Sequence, residues 1–186
     1  MHFAAKRSII VPAPNGYFLY CITTVMIVKK ISAREGLFSM LTNYHTHTTR
    51  CGHAEGTEEE YILTALRCGY KVLGFSDHTP WAYATPGFVS HIRMLPAQLD
   101  DYVLTLRSLR EKYADRLHLH IGLEAEYFPA YLGWLKEETE RLGIEYLILG
   151  CHYDTTDEQD AKARRFGGSA SPAHGRRYAE QVERAL

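Results

Sequence analysis

Three short and nearly unbroken apolar runs decide what this chain can fold into. Val72-Leu73-Gly74-Phe75-Ser76, the stretch from Leu117 to Leu123, and Tyr146-Leu147-Ile148-Leu149-Gly150 each have the length of a strand. They alternate with segments whose apolar residues recur at helical spacing. Strands without a polar face are buried on both sides, and that calls for a parallel sheet with helices packed over it. The helical segments carry their own punctuation. Thr57 with Glu60 three residues on forms a capping box; Tyr61, Ala65 and Cys68 follow on one face, and Gly69 is placed to stop the helix. Pro96 suits a first helical position ahead of Leu99, Val103, Leu106 and Tyr113. Tyr131 to Leu142 reads as a third helix ended by Gly143, and Ser171-Pro172 opens a fourth with Tyr178, Val182 and Ala185 on its face. A β-type stretch over 42–48 precedes the first helix, so the order after Met40 is strand then helix, four times. A closed eight-unit barrel takes about 250 residues. The expected class is therefore α/β, with about four βα units forming the front half of a barrel.

Bulk composition removes several function classes. A net charge of -1 gives no general electrostatic case for nucleic acid or a membrane surface. Cys21, Cys51, Cys68 and Cys151 lie far apart with no C-x-x-C pair, which suits a reducing, cytoplasmic setting better than a disulfide framework. Residues 1–39 read differently from the rest. The apolar run from Tyr17 to Val28, between Lys6-Arg7 and Lys29-Lys30, is shorter than the roughly 20 residues of a membrane-spanning helix. No small-residue cleavage pattern follows it. We expect residues 1–39 to be an extension, poorly ordered or lying upstream of a natural start at Met40, and residues 40–186 to be a partial domain. A docked β-strand and a targeting segment are the alternatives for the extension.

In parallel βα architectures the carboxyl ends of the strands converge on one face, where active sites assemble. Here those ends carry His45 and His47, Asp77 and His78, Glu124 and Glu126, and His152, with His53 in the loop after the first strand. On a strand, His45 and His47 would leave the same face roughly 6.5–7 Å apart. Imidazole and carboxylate are ligands for zinc, manganese and iron. A single strand-end histidine is ordinarily structural, but four successive strands ending this way point to a metal centre. His118 and His120 also share a strand face, yet they precede Glu124 at the wrong end, so packing or exposure is expected for them. Gly167-Gly168-Ser169 does not sit in a strand-to-helix nucleophile elbow. No Gly-rich turn suggests a dinucleotide or P-loop site.

The strings His45-Thr46-His47, His53, Gly74-Phe75-Ser76-Asp77-His78, Gly122-Leu123-Glu124-Ala125-Glu126-Tyr127 and Gly150-Cys151-His152 resemble the first four motifs of the PHP (polymerase and histidinol phosphatase) superfamily. The fuller string from Asn43 to Thr57, with Thr79-Pro80-Trp81, resembles its monofunctional histidinol-phosphatase branch. The resemblance implies a distorted (β/α)7 barrel, represented here by its N-terminal half, with a cluster of up to three divalent ions (zinc, manganese or iron). It implies a phosphomonoesterase that hydrolyses L-histidinol phosphate to L-histidinol and phosphate in histidine biosynthesis. Carried over residue by residue, it places His45, His47 and Glu124 on a first metal. Glu124 would bridge to a second that His152 also holds, and His53 and His78 would hold a third. Asp77 and Glu126 are the catalytic candidates, Asp77 as a partner that orients an imidazole. Arg50, Arg164 and Arg165 are candidates for binding phosphate through paired N–H donors.

The family's later motifs would supply three further ligands beyond Leu186. This polypeptide alone is therefore expected to be weakly active or inactive, unless an oligomer or a complementing C-terminal half completes it. The expected partner is a small phosphate monoester, with no nucleic acid and no membrane. Two alternatives stand beside this reading. One is a PHP phosphoesterase acting on nucleotides or nucleic-acid ends, which calls for a basic, aromatic-lined groove. The other is a non-catalytic metal-binding fragment.

Overall fold

The capping box at Thr57 forms in the computed structural model of the protein, which describes residues 9–12, 18–21, 42–159, 165–166 and 172–186. Glu60 N–H donates to the Thr57 hydroxyl at 3.3 Å, and the Glu60 carboxylate accepts from Thr57 N–H at 2.7 Å. That closes the first turn of α1 (Glu58–Arg67), and Gly69 follows its end at φ +82°. A 3-10 turn at Pro96–Gln98 leads into α2 (Leu99–Lys112). α3 (Leu132–Leu142) stops at Gly143, whose φ of +58° suits a residue without Cβ. α4 spans Pro172–Ala185. None of the described helices is long and apolar enough to cross a membrane.

The strands are β1 (Ile9–Pro12), β2 (Phe18–Cys21), β3 (Thr42–Asn43), β4 (Val72–His78), β5 (His118–Ala125) and β6 (Tyr146–Leu149). They form one sheet in the order β1-β2-β6-β5-β4-β3. β3, β4, β5 and β6 are mutually parallel neighbours, with α1, α2 and α3 on the crossovers. The backbone of 9–12 and 18–21 is an antiparallel hairpin whose second strand lies parallel to β6. What the sequence suggested for the remainder of 1–39, for Arg164 and for Gly167-Gly168-Ser169 lies outside the described residues.

Period-two alternation divides the sheet into two faces. Leu73 and Phe75 of β4 and Leu119, Ile121 and Leu123 of β5 are buried in the core with Ile62, Tyr102, Val103, Leu106 and Leu135 from the helices. The intervening residues, Gly74 and His78 on β4 and Gly122 and Glu124 on β5, take the other face. There the Tyr146 phenol lies across Gly122 and Gly74, and its hydroxyl is directed at the carbonyls of Tyr44, at 2.7 Å, and Phe75, at 3.0 Å. β6 and β3 are three strand spacings apart, about 14 Å in a flat sheet. A tyrosine cannot span that distance, so the four parallel strands must curl. They form a half-barrel whose concave face carries His78 and Glu124 at its carboxyl end.

The first β-type stretch differs from expectation. Ladder pairing ends at Asn43, opposite Leu73, and 44–48 is irregular. Side chains take over the backbone donors there. Asn43 Oδ1 accepts from His45 N–H at 2.9 Å, and Asp77 Oδ1 accepts from Thr48 N–H at 2.5 Å. Ser76 N–H still donates to the Thr46 carbonyl at 2.8 Å, which keeps the segment alongside β4.

Candidate metal centre

His45 and His47 turn toward the same point even though they do not sit on a strand. Their Nε2 atoms are 3.0 Å apart, and Glu124 Oε2 lies 3.1 Å from the first and 3.3 Å from the second. Ligands on a tetrahedral zinc with bonds of about 2.0–2.1 Å are separated by about 3.3 Å. The triangle formed by these three atoms therefore has the edges of a coordination face. His78 Nδ1 lies 3.2 Å from the same Glu124 oxygen, yet it is buried and has no hydrogen-bond partner among the described residues. On the other side, Glu124 Oε1 lies 3.6 Å from His152 Nε2. Among the described residues, three groups have possible ligand atoms within 4.8 Å of one another: His45, His47 and Glu124; His78, Glu124 and His152; and His47, Cys51 and His53. Glu124 belongs to two of them: its Oε2 faces His45, His47 and His78, and its Oε1 faces His152.

Gly150 is what allows Glu124 to stand there. A Cβ at position 150 would come 2.5 Å from Glu124 Oε1 and 2.7 Å from its Cγ, so glycine leaves a cradle that the carboxylate fills. Only 3% of Glu124 is exposed, and a buried carboxylate needs compensating charge or hydrogen bonds. Burial opposes its ionisation, but hydrogen bonds from His45 and His47 outweigh that and hold it well below the usual carboxylate range. Burial also opposes a proton on His47, yet Cys51 and Glu124 raise its pKa to about 10. Burial lowers His78 to about 2, and burial with the neighbouring His47 charge lowers His53. His152 is raised: burial works against the proton, and the Glu126 hydrogen bond outweighs it. A carboxylate amid five imidazoles, two of them favouring the neutral state, is a donor set that fits a divalent metal ion.

The two catalytic candidates take positions behind the histidines. Asp77 is fully buried and accepts from both the N–H and the hydroxyl of Thr48 at 2.5 Å; its Oδ1 is 4.0 Å from His47 Nδ1. It therefore braces the loop that carries His47. Burial raises its pKa against the pull of the Thr48 hydrogen bonds. Glu126, 2% exposed, accepts from His152 N–H at 2.8 Å through Oε2 and faces His152 Nδ1 at 2.8 Å through Oε1. Arg50 and Arg165 are engaged elsewhere. Arg50 bonds Asp101 at 2.7 Å, pairs with Glu58 and lies over the Tyr102 ring, so its fork ties the first loop to α1 and α2. Arg165 donates to the Tyr153 hydroxyl at 2.7 Å.

Sequence reasoning passed over Cys51, Gly150 and Arg93. Cys51 is buried, with Sγ 3.3 Å from His47 Nδ1, and it stands inside the same string as the first three histidines. Gly150 had a signal in its place directly before Cys151-His152, because a glycine at a strand end marks close approach. Arg93 had none: an arginine in a loop reads as solvated.

Residues 43–183 match the PHP domain family. The "Probable histidinol-phosphatase" of Deinococcus radiodurans is 34% identical over 116 residues, covering 61% of this chain and 42% of the relative. The protein of the same name from Schizosaccharomyces pombe is 29% identical over 115 residues, covering 59% and 38%. The chain thus spans roughly two fifths of the length of these curated relatives. A crystal structure from Listeria monocytogenes, assigned as a histidinol phosphatase, superposes with a TM-score of 0.55 at 23% identity over 69% of this chain and 50% of its own. That likeness is one of fold.

Proposed function

Because this chain belongs to the PHP domain family, we propose that it carries the metal-binding part of a phosphomonoesterase that hydrolyses L-histidinol phosphate to L-histidinol and phosphate, a step of histidine biosynthesis in the cytoplasm. The observation that carries this reading is Glu124, one buried carboxylate with Oε2 among His45, His47 and His78 and Oε1 facing His152. The names of the two curated relatives support the substrate. In this reading His45, His47 and Glu124 hold one ion of zinc, manganese or iron, Glu124 and His152 a second, and His53 and His78 a third.

A phosphate monoester is doubly anionic, and its uncatalysed hydrolysis is among the slowest biological reactions. When bound, divalent ions supply Lewis acidity for the phosphoryl group and an acidified water as the nucleophile. The protein's own part is placement. Glu124 fixes the spacing of two positions, Asp77 holds the His47 loop through Thr48, and Glu126 orients the His152 ring. To reach a phosphate, Arg50 would have to leave Asp101 and Glu58, and Arg165 the Tyr153 hydroxyl; Arg164 is the third candidate for that contact.

One observation favours a second reading, metal binding without turnover: Arg50 is taken up by Asp101 and Glu58, and Arg165 by the Tyr153 hydroxyl, rather than turned to a phosphate. Phosphate release from L-histidinol phosphate by the 186-residue chain with added Zn²⁺ or Mn²⁺ separates the two. The phosphatase reading expects release above the metal-only blank, weak but removed by chelator and by His47→Ala. Metal uptake with no release would favour the second reading. Faster release from a nucleoside monophosphate would point instead to a nucleotide phosphoesterase.

A further inference from the structure

Arg93 lies in the loop between β4 and α2, and only 4% of it is exposed. A guanidinium is costly to bury unless it is paired. Its Nε donates to Asp157 Oδ2 at 3.0 Å and its Nη2 to Glu126 Oε1 at 3.2 Å, while Nη1 is buried with no partner among the described residues. Asp157, in the segment after β6, also accepts from the Tyr83 hydroxyl and, at 2.7 Å, from the Ser90 hydroxyl. One arginine therefore joins three successive strand-end loops: its own after β4, that of Glu126 after β5, and that of Asp157 after β6.

We propose that Arg93 is a positioning residue of the centre, which through Glu126 fixes the His152 imidazole with Nε2 turned toward Glu124. This rests on the reading of His152 as a metal ligand. A carboxylate only accepts, so the ring nitrogen facing Glu126 is the one that carries hydrogen, and Nε2 keeps its lone pair. The second Glu126 oxygen takes the backbone N–H of the same residue, so the ring and its main chain are set by one group. Arg93 in turn holds the carboxyl group in place, and its planar fork serves Glu126 and Asp157 at once, which a lysine cannot reproduce. One guanidinium between two carboxylates leaves one negative charge uncompensated beside His152, and a cation on Nε2 balances it.

The test uses the 186-residue chain and two readouts: zinc affinity by competition with a chromogenic chelator, and ¹⁵N imidazole spectra of the zinc-free protein. Arg93→Met is expected to weaken one zinc equivalent at least about tenfold, the size of effect seen when a partner behind a ligand is lost. His152 should also lose its single Nδ1–H tautomer. Arg93→Lys should fall between, and Arg141→Met, on the exposed surface, should change neither readout. Should Arg93→Met fail to fold, Glu126→Gln preserves volume but can accept only one of the two His152 N–H groups, and it should give the same pair of effects. A folded Arg93→Met with wild-type zinc affinity and an unchanged His152 spectrum overturns the proposal and leaves Arg93 a purely structural knot. If the wild type takes up no zinc, yet its His152 tautomer is single and is released by the substitution, the positioning stands and the metal reading fails.

Discussion

Glu124→Ala is expected to remove two ligand groups at once. The side chain belongs to the set with His45 and His47 and to the set with His78 and His152, so no neighbouring residue can replace it at both. Loss of a group that merely orients a ligand costs about 10–100-fold in metal affinity, so loss of a shared ligand should cost at least about a hundredfold at each position. Zinc titration against a competing chelator reads this directly. The informative comparison is His45→Ala, which touches only one of the two sets and should weaken one equivalent while sparing the other. Equal effects of the two substitutions would mean that Glu124 does not join two positions. The protein also loses the carboxylate that holds the His47 proton, so the His47 pKa, now raised to about 10, should fall in the zinc-free variant.

The second large effect is structural. Gly122→Ala should destabilise the half-barrel by about 3 kcal/mol, at the upper end of overpacking costs. The added Cβ would come within 2.7 Å of three ring atoms of Tyr146. The ring cannot retreat without surrendering the contacts of its hydroxyl with the Tyr44 and Phe75 carbonyls, which also hold the start of the His45 segment against the sheet. A loss of that size is a large share of a typical domain's stability of about 5–15 kcal/mol. Urea unfolding measures it, and a double-mutant cycle assigns its cause. In a Tyr146→Ala background the same glycine substitution should cost little. A cost that persists there would place the strain in the backbone of β5 rather than in the phenol.

How much of this was legible beforehand follows from the range of each interaction. α1 was readable to within a residue because its cap is local: Thr57 and Glu60 are three apart and satisfy each other. β4 and β6 are readable because strands covered on both faces leave apolar runs, and β5 because its apolar residues persist around His118 and His120 between two helical segments. The convergence of His45, His47, His78, Glu124 and His152 followed from the rule that parallel strand ends meet. The segment over 42–48 reads as β-type throughout because its irregular half depends on Asp77, 29 residues away from Thr48. Arg50 was considered for phosphate, although Asp101, 51 residues on, and Glu58 engage its fork. Arg93 is the clearest case. Its burial is set by Glu126 and Asp157, 33 and 64 residues away, and nothing in its own neighbourhood separates it from a solvated loop arginine.

The proposed place of Glu124 between two metal positions is open to direct observation in crystals of the 186-residue chain grown with zinc, with diffraction recorded on either side of the zinc absorption edge. The expected result is one anomalous peak about 2.0–2.2 Å from His45 Nε2, His47 Nε2 and one Glu124 oxygen, and a second at similar distance from the other Glu124 oxygen and His152 Nε2. Well-ordered side chains with no anomalous density beside Glu124 would contradict it.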